Sequence, residues 1–204
     1  QKSGLTMTAP LAALLDVFAP YDAEEKAICD QLRQFINHSP NPYGRDNLTA
    51  HVVADAWIVN PARDAVILVE HLLNKFWMAP GGHCDGSPDV FGAALREAEE
   101  EAGLTAAHLR PLLNGGIFDI NSGFVPLRHK EWGIEPTHVH FDVCFAFEAD
   151  DNVPLMVSHE STGLKWMPLD GIENSGFFPG HLRRVHKMRA GILAAPADTQ
   201  KVSA

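Results

Sequence analysis

The sequence predicts a layered α/β (α+β) domain behind a helical lead-in. Three features predict it: two helical stretches before residue 40, a run of strand-like segments from Thr49 onward, and one strongly periodic helix, Asp89 to Ala102, set among those strands. The 204 residues suffice for one domain with a full core plus an extension. The elements follow in chain order.

Pro10 to Phe18 and Ala23 to Ile36 read as helices. In the second, Ala27, Ile28, Leu32, Phe35 and Ile36 recur at helical spacing, Asp22 stands as N-cap, and Glu24 and Glu25 suit the first turn. Asn37 to Asn47 is rich in Pro, Gly, Asn and Asp and reads as a loop. Thr49 to Val59 and Ala65 to Glu70 read as strands around a turn at Asn60 to Asp64. Lys75 to Met78 reads as a short strand, and Pro80-Gly81-Gly82 as a bend. In the Asp89 helix, Phe91, Ala94, Leu95, Ala98 and Ala102 form one stripe, and Gly103 occupies the position that favours a left-handed residue. Gly116 to Ile120 reads as a strand, Asn121 to Glu135 as a loop, and Thr137 to Phe147 as an alternating strand. Leu164 to Pro168 reads as a short strand and Pro179 to Leu193 as a helix with Pro in its first turn. The chain divides into a helical extension over 1–48, a domain over 49–193 and a tail over 194–204.

The formal net charge is −10, which argues against a nucleic-acid polymer as partner, because phosphate-backbone binding needs clustered Lys and Arg. A small anionic substrate is compatible with that charge if a metal supplies the positive field. Cys29, Cys84 and Cys144 form no Cys-x-x-Cys pair and read as small packed thiols of a reducing compartment. No apolar run approaches the roughly 20 residues that span a bilayer, and Leu11 to Phe18 is followed by acidic residues rather than a cleavage site. The expectation is a cytoplasmic protein without a membrane partner.

Glu97, Glu100 and Glu101 stand at i, i+3 and i+4 on the Asp89 helix and so share a face. Three such carboxylates repel one another unless a cation joins them, and Mg²⁺ or Mn²⁺ prefer oxygen ligands. Alone the triplet would be read as a solvated acidic face. Its setting changes that: Gly81-Gly82 bends the chain before the helix, Arg96 precedes Glu97 and can pair with Glu100, and Gly103 follows at the helix end.

With these residues in place the sequence resembles the Nudix hydrolase family. Its box runs Gly, five residues, Glu, seven residues, then Arg-Glu-aliphatic-x-Glu-Glu-x-Gly-aliphatic. Gly82, Arg96, Glu97, Ala98, Glu100, Glu101, Gly103 and Leu104 fall in register; Pro88 replaces the first Glu, and Asp89 reads as a helix cap. The resemblance extends in strand order over Thr49 to Leu193, including Glu160 and Trp166-Met167-Pro168-Leu169. It implies an α/β/α sandwich with a mixed central sheet. It also implies hydrolysis of a diphosphate bond in a nucleoside diphosphate linked to another moiety. Glu100 and Glu101 would be the leading ligands of Mg²⁺ or Mn²⁺, Glu97 a third ligand or the base, and Arg96 an orienting group. Glu160 is a second candidate base. Gly82, Arg128 and Trp132 are candidates for substrate binding.

Histidine provides a second pattern. His138, His140 and Asp142 alternate with Val139, Phe141 and Val143, so the first set shares one face of a strand. His51 opens the first strand, and His83 follows Gly81-Gly82. These placements are similar to those of isopentenyl diphosphate isomerase, which shares the fold. That likeness implies a second metal, Zn²⁺, Mn²⁺ or Fe, at His51, His83, His138 and His140. The isomerase's catalytic Cys has no counterpart in Ala79-Pro80-Gly81-Gly82, which disfavours isomerase chemistry. A nucleotide sensor without turnover is the other alternative, favoured by Pro88. The lead-in and the Asn121 to Glu135 segment are candidates for shaping the pocket or a homodimer contact.

Overall fold

A computed structural model describes residues 9–71, 76–130, 133–158, 161–173 and 179–194. The lead-in forms α1 (Leu11–Val17) and α2 (Ala23–His38). The Asp22 carboxylate caps α2 by accepting from the Glu25 N–H at 2.7 Å. The strands are β1 (Ala50–Val59), β2 (Ala65–His71), β3 (Trp77–Met78), β4 (Gly81–His83), β5 (Arg110–Pro111), β6 (Ile117–Val125), β7 (Arg128–Lys130), β8 (Gly133–Glu135), β9 (His138–Glu148) and β10 (Ser161–Pro168). Between them lies α3 (Val90–Ala102), and after them α4 (Leu169–Glu173) and α5 (Pro179–Arg189).

The central sheet runs β10-β2-β1-β9-β5, with β3 on β2, β4 on β1 and β6 on β9. Only the β1–β9 pair is parallel among the pairs described, so the sheet is mixed. Strand β1 is buried along nearly its whole length, as expected of a central strand covered on both faces. Alternation sorts its residues between two cores. Val52, Ala54, Ala56 and Ile58 pack with Leu15, Leu32, Phe91, Ala94 and Ala98 from α1, α2 and α3. Trp57 and Val59 pack with Ile172, Val185 and Met188 from α4 and α5. The result is a mixed α+β fold with a helical layer on each face of the sheet.

Several described segments differ from the sequence reading. Asn121 to Glu135, expected to be a loop, is largely strand. Asn121 to Val125 continue β6 against β9, from Asn121 opposite Asp142 to Val125 opposite His138, and β7 pairs with β8. The length of β9 imposes this pairing; the segment's own residues alternate too weakly to announce it. Gly81 and Gly82, expected to lie in a bend with Pro80, instead form β4 with His83 and pair with Val53 to Asp55 of β1. Leu169 to Glu173 forms α4, and α5 ends at Arg189 rather than Leu193. Lys75 lies outside the described residues, so the short strand is described only at Trp77–Met78.

Charged residues join α2, β6 and α5 inside the fold. Glu25, fully buried, accepts from the Ile120 N–H at 2.9 Å and from Lys187 Nζ. Buried Asp119 accepts from Arg183 Nε at 3.0 Å and lies 2.8 Å from Lys187 Nζ. Arg184 donates to Asp55 at 2.6 Å. Desolvation alone would raise the Asp119 carboxyl, but Arg184, Arg183 and Lys187 together hold it well below the usual carboxylate range. The lead-in thus shares both the apolar core and this ion network with the rest of the chain.

Candidate active site

Helix α3 begins at Asp89, whose carboxylate accepts from the Gly92 N–H at 2.9 Å, and ends at Gly103 with φ 72°. Between those caps its faces divide. Phe91, Ala94 and Ala98 enter the core, while Glu97 and Glu101 turn toward β4. Glu97 and Glu101 are 8% and 7% exposed, and Glu100 is exposed. That asymmetry separates this triplet from a solvated acidic stripe. Glu101 accepts from the Gly81 N–H at 2.9 Å. A side chain at Gly82 would place its Cβ 2.7 Å from the Glu97 carboxyl carbon, so glycine there lets the strand approach the helix.

Arg96 ties these parts together. It lies 2.8 Å from Glu97 and 3.1 Å from Glu100, and its Nη2 donates to the His83 carbonyl at 2.6 Å. The pairing with Glu100 follows the i, i+4 spacing; the bond to His83 could not be read from sequence. One guanidinium therefore fixes two of the carboxylates relative to β4. Burial pushes the Glu97 carboxyl up to about 7, against the opposing pull of Arg96.

The raised value has a sign. In metal-free protein, a carboxyl held near 7 binds its proton more tightly folded than unfolded. Its contribution to stability is full below the unfolded value and falls as pH rises through about 7. Metal-free Glu97→Gln is therefore expected to lose less thermal stability than wild type between about pH 5 and about pH 8. Other raised carboxyls, such as Glu25 and Asp142, remain in both proteins, so the difference between the two melting curves isolates Glu97. Parallel pH profiles would exclude this assignment.

The four histidines converge on the other face of β4. The parallel register puts His51 opposite His140, and the antiparallel register puts His83 opposite Val53, two residues along β1 from His51. Ring centroids lie 4.6 Å apart for His51–His140, 4.9 Å for His51–His138 and 5.0 Å for His51–His83. Desolvation lowers the His51 ring; burial, with Arg45 and then the neighbouring imidazoles, pushes His83 down to about 4, and burial with the neighbouring imidazoles pushes His140 to about 2. These three rings are therefore neutral near pH 7 and retain lone pairs.

Arg128 lies half-buried on β7, where its charge adds to the lowering of His140. Trp132 and Glu160 lie outside the described residues. Asp55 and Asp119, not singled out from sequence, form a buried charged network with α5; no local pattern marks them, since their partners are far along the chain.

A family model described as "NUDIX domain" matches residues 49–187. The uncharacterized Nudix hydrolase YvcI of Bacillus subtilis (strain 168) is 29% identical over 119 residues, covering 57% of this chain and 66% of its own length. The chain thus spans just under two thirds of that relative. The fold is similar to a C. elegans Ap4A hydrolase in a binary complex, with TM-score 0.55, 20% identity, and 70% of this chain and 97% of that one covered. It is also similar to the MutT protein of Methanosarcina mazei Go1, with TM-score 0.50, 17% identity, and 72% and 96% covered. These likenesses bear out the mixed-sheet fold. They lend no support to the likeness to isopentenyl diphosphate isomerase drawn from the histidine placements.

Proposed function

We propose, from the premise that this chain belongs to the NUDIX domain family, that it hydrolyses a diphosphate bond in a nucleoside diphosphate linked to another moiety. The observation that carries this reading is the paired burial of Glu97 and Glu101 against glycines of β4, with Glu100 one turn from Glu97 on the same helix. Carboxylates fixed by a backbone N–H and an arginine, two of them buried, form an oxygen-donor set suited to a hard divalent cation, Mg²⁺ or Mn²⁺. Such a cation, when bound, neutralises the diphosphate and lowers the pKa of bound water.

The chain's own residues would divide the remaining work. Glu100 and Glu101 are the leading ligands. Glu97, with its carboxyl near 7, is suited either to a third ligand position or to accepting the proton of the attacking water. Arg96 orients Glu97 and Glu100 and holds β4 against α3. Gly82 leaves the space in which the carboxylate of Glu97 lies. Phosphoryl transfer depends chiefly on positioning and charge stabilisation, and this arrangement supplies the positioning. A transition metal at the histidines would be additional; hydrolysis as proposed does not require it.

The test is monophosphate release from nucleoside diphosphate sugars, dinucleoside polyphosphates and nucleoside triphosphates, with Mg²⁺ or Mn²⁺ present. Metal-dependent turnover on at least one class is expected. Tight nucleotide binding with no turnover on any class would instead identify a sensor, the role suggested by Pro88 in place of the box's first Glu.

A further inference from the structure

We propose that His51, His83, His138 and His140 form a site for one divalent transition-metal ion of the zinc class, separate from the carboxylate site on α3. Strand β4 divides the two. The Cβ direction of Gly82 points at the Glu97 carboxylate, whereas His83, one residue on, turns to the opposite face of the sheet and meets His51. Imidazole nitrogen favours zinc, copper, nickel or iron over magnesium, so the two sites would sort their ions by ligand chemistry.

Three geometric observations support the site. The first is convergence. One ring nitrogen each of His51, His138 and His140 lies within 4.8 Å of the others, and the burial of His51 leaves it 1% exposed. The His83 ring closes the fourth side, 5.0 Å from His51 and 5.2 Å from His140. Four imidazoles on one tetrahedral ion would have nitrogens about 3.3 Å apart and ring centres about 5 Å apart, given metal–nitrogen bonds near 2.0–2.1 Å.

The second is orientation. His51 Nδ1 lies 3.2 Å from the Asn47 carbonyl and His138 Nδ1 lies 2.9 Å from the Pro136 carbonyl. A carbonyl can only accept, so each Nδ1 carries a proton, which leaves Nε2 as the atom through which each ring could ligate a metal. Backbone carbonyls commonly fix metal-binding histidines in this way.

The third is unmet bonding capacity. His51 Nε2 is buried and has no hydrogen-bond partner among the described residues. An uncompensated buried polar atom of this kind is uncommon and costly. His138 Nε2 and His140 Nε2 hydrogen-bond to each other at 3.1 Å, a spacing close to that of two nitrogens on one tetrahedral ion. A single cation would engage all of these nitrogens at once. The contributing strands start far apart in sequence, so the ion would also pin the ends of β1 and β9 to β4.

The test uses the full chain purified without a histidine tag, stripped with chelator and titrated with Zn²⁺ and Co²⁺ in excess Mg²⁺. One equivalent of Zn²⁺ should be retained after dialysis, with zinc X-ray absorption showing nitrogen neighbours at about 2.0–2.1 Å. The Co²⁺ form should show the intense visible bands of a tetrahedral site. His138→Gln with His140→Gln should lose the equivalent, while Glu100→Gln with Glu101→Gln should keep it. No retained equivalent, oxygen-only neighbours, or loss in the glutamate variant with retention in the histidine variant would overturn the site. Should the histidine variant fail to fold, the wild-type absorption spectrum decides alone. None of these readouts uses hydrolysis, so the site and the hydrolytic reading can fail separately.

Discussion

Glu100→Gln combined with Glu101→Gln is expected to lower diphosphohydrolase turnover by about 10³-fold while leaving the fold intact. Loss of one well-placed electrostatic group typically costs roughly 10²–10³ in turnover, and this change neutralises two carboxylates of one candidate metal set. The fold should survive because glutamine preserves shape and can still accept a hydrogen bond. Glu101 receives the Gly81 N–H at 2.9 Å, which an amide oxygen can also receive, and Glu100 is exposed. Glu99 provides the internal control. It is exposed, adjacent in sequence, and off the i, i+3, i+4 face, so Glu99→Gln should retain full activity. The measurement is kcat on the best substrate of the panel at saturating Mg²⁺, paired with Mn²⁺ binding by titration. A double variant that keeps a tenth of wild-type kcat would remove these residues from the mechanism. Equal losses in the double variant and Glu99→Gln would point to nonspecific charge effects.

The parts of this site readable in sequence are those encoded by local spacing. The glutamate face, the Asp89 cap and the Gly103 terminus all lie within one helix, where periodicity and capping chemistry act over a few residues. Alternation in β9 correctly put His138, His140 and Asp142 on one face. Which strands meet there depended on register: only the parallel β1–β9 ladder places His51 against His140. Strand β4 escaped notice because Gly-Gly-His carries almost no side-chain pattern, and its strand character comes from β1. The buried ions escaped for a related reason. Glu25, Asp119 and Lys187 each look like surface residues in their own segments, and only tertiary contact makes them interior.

Glu25→Ala is expected to destabilise the protein by about 3–5 kcal/mol, the usual cost of removing one partner from a buried charged pair. For a chain of this size that corresponds to a melting temperature lower by roughly 6–20 °C. The family match begins at residue 49, so Glu25 lies outside it, while Lys187 is its last matched residue. If the lead-in were a dispensable appendage, Glu25 could be removed without consequence. The structure argues otherwise. Glu25 holds Lys187 and the Ile120 N–H, and Asp119 engages the same lysine together with Arg183. Arg184 is shared with Asp55. Three buried cations thus face three carboxylates drawn from α2, β1 and β6. Removing one carboxylate leaves a cation underpaired in a region from which it cannot readily reach water. Asp119→Ala should cost a similar amount because it touches the same cations, and the two losses should combine non-additively through Lys187. Glu24→Ala is the matched control: that side chain is exposed and 3.6 Å from Arg183, and its loss should stay within about 0.5 kcal/mol. Chemical denaturation of wild type, the three single variants and the Glu25→Ala/Asp119→Ala double variant checks all of this. A Glu25→Ala midpoint equal to that of Glu24→Ala would show that α2 is carried by the domain rather than built into it.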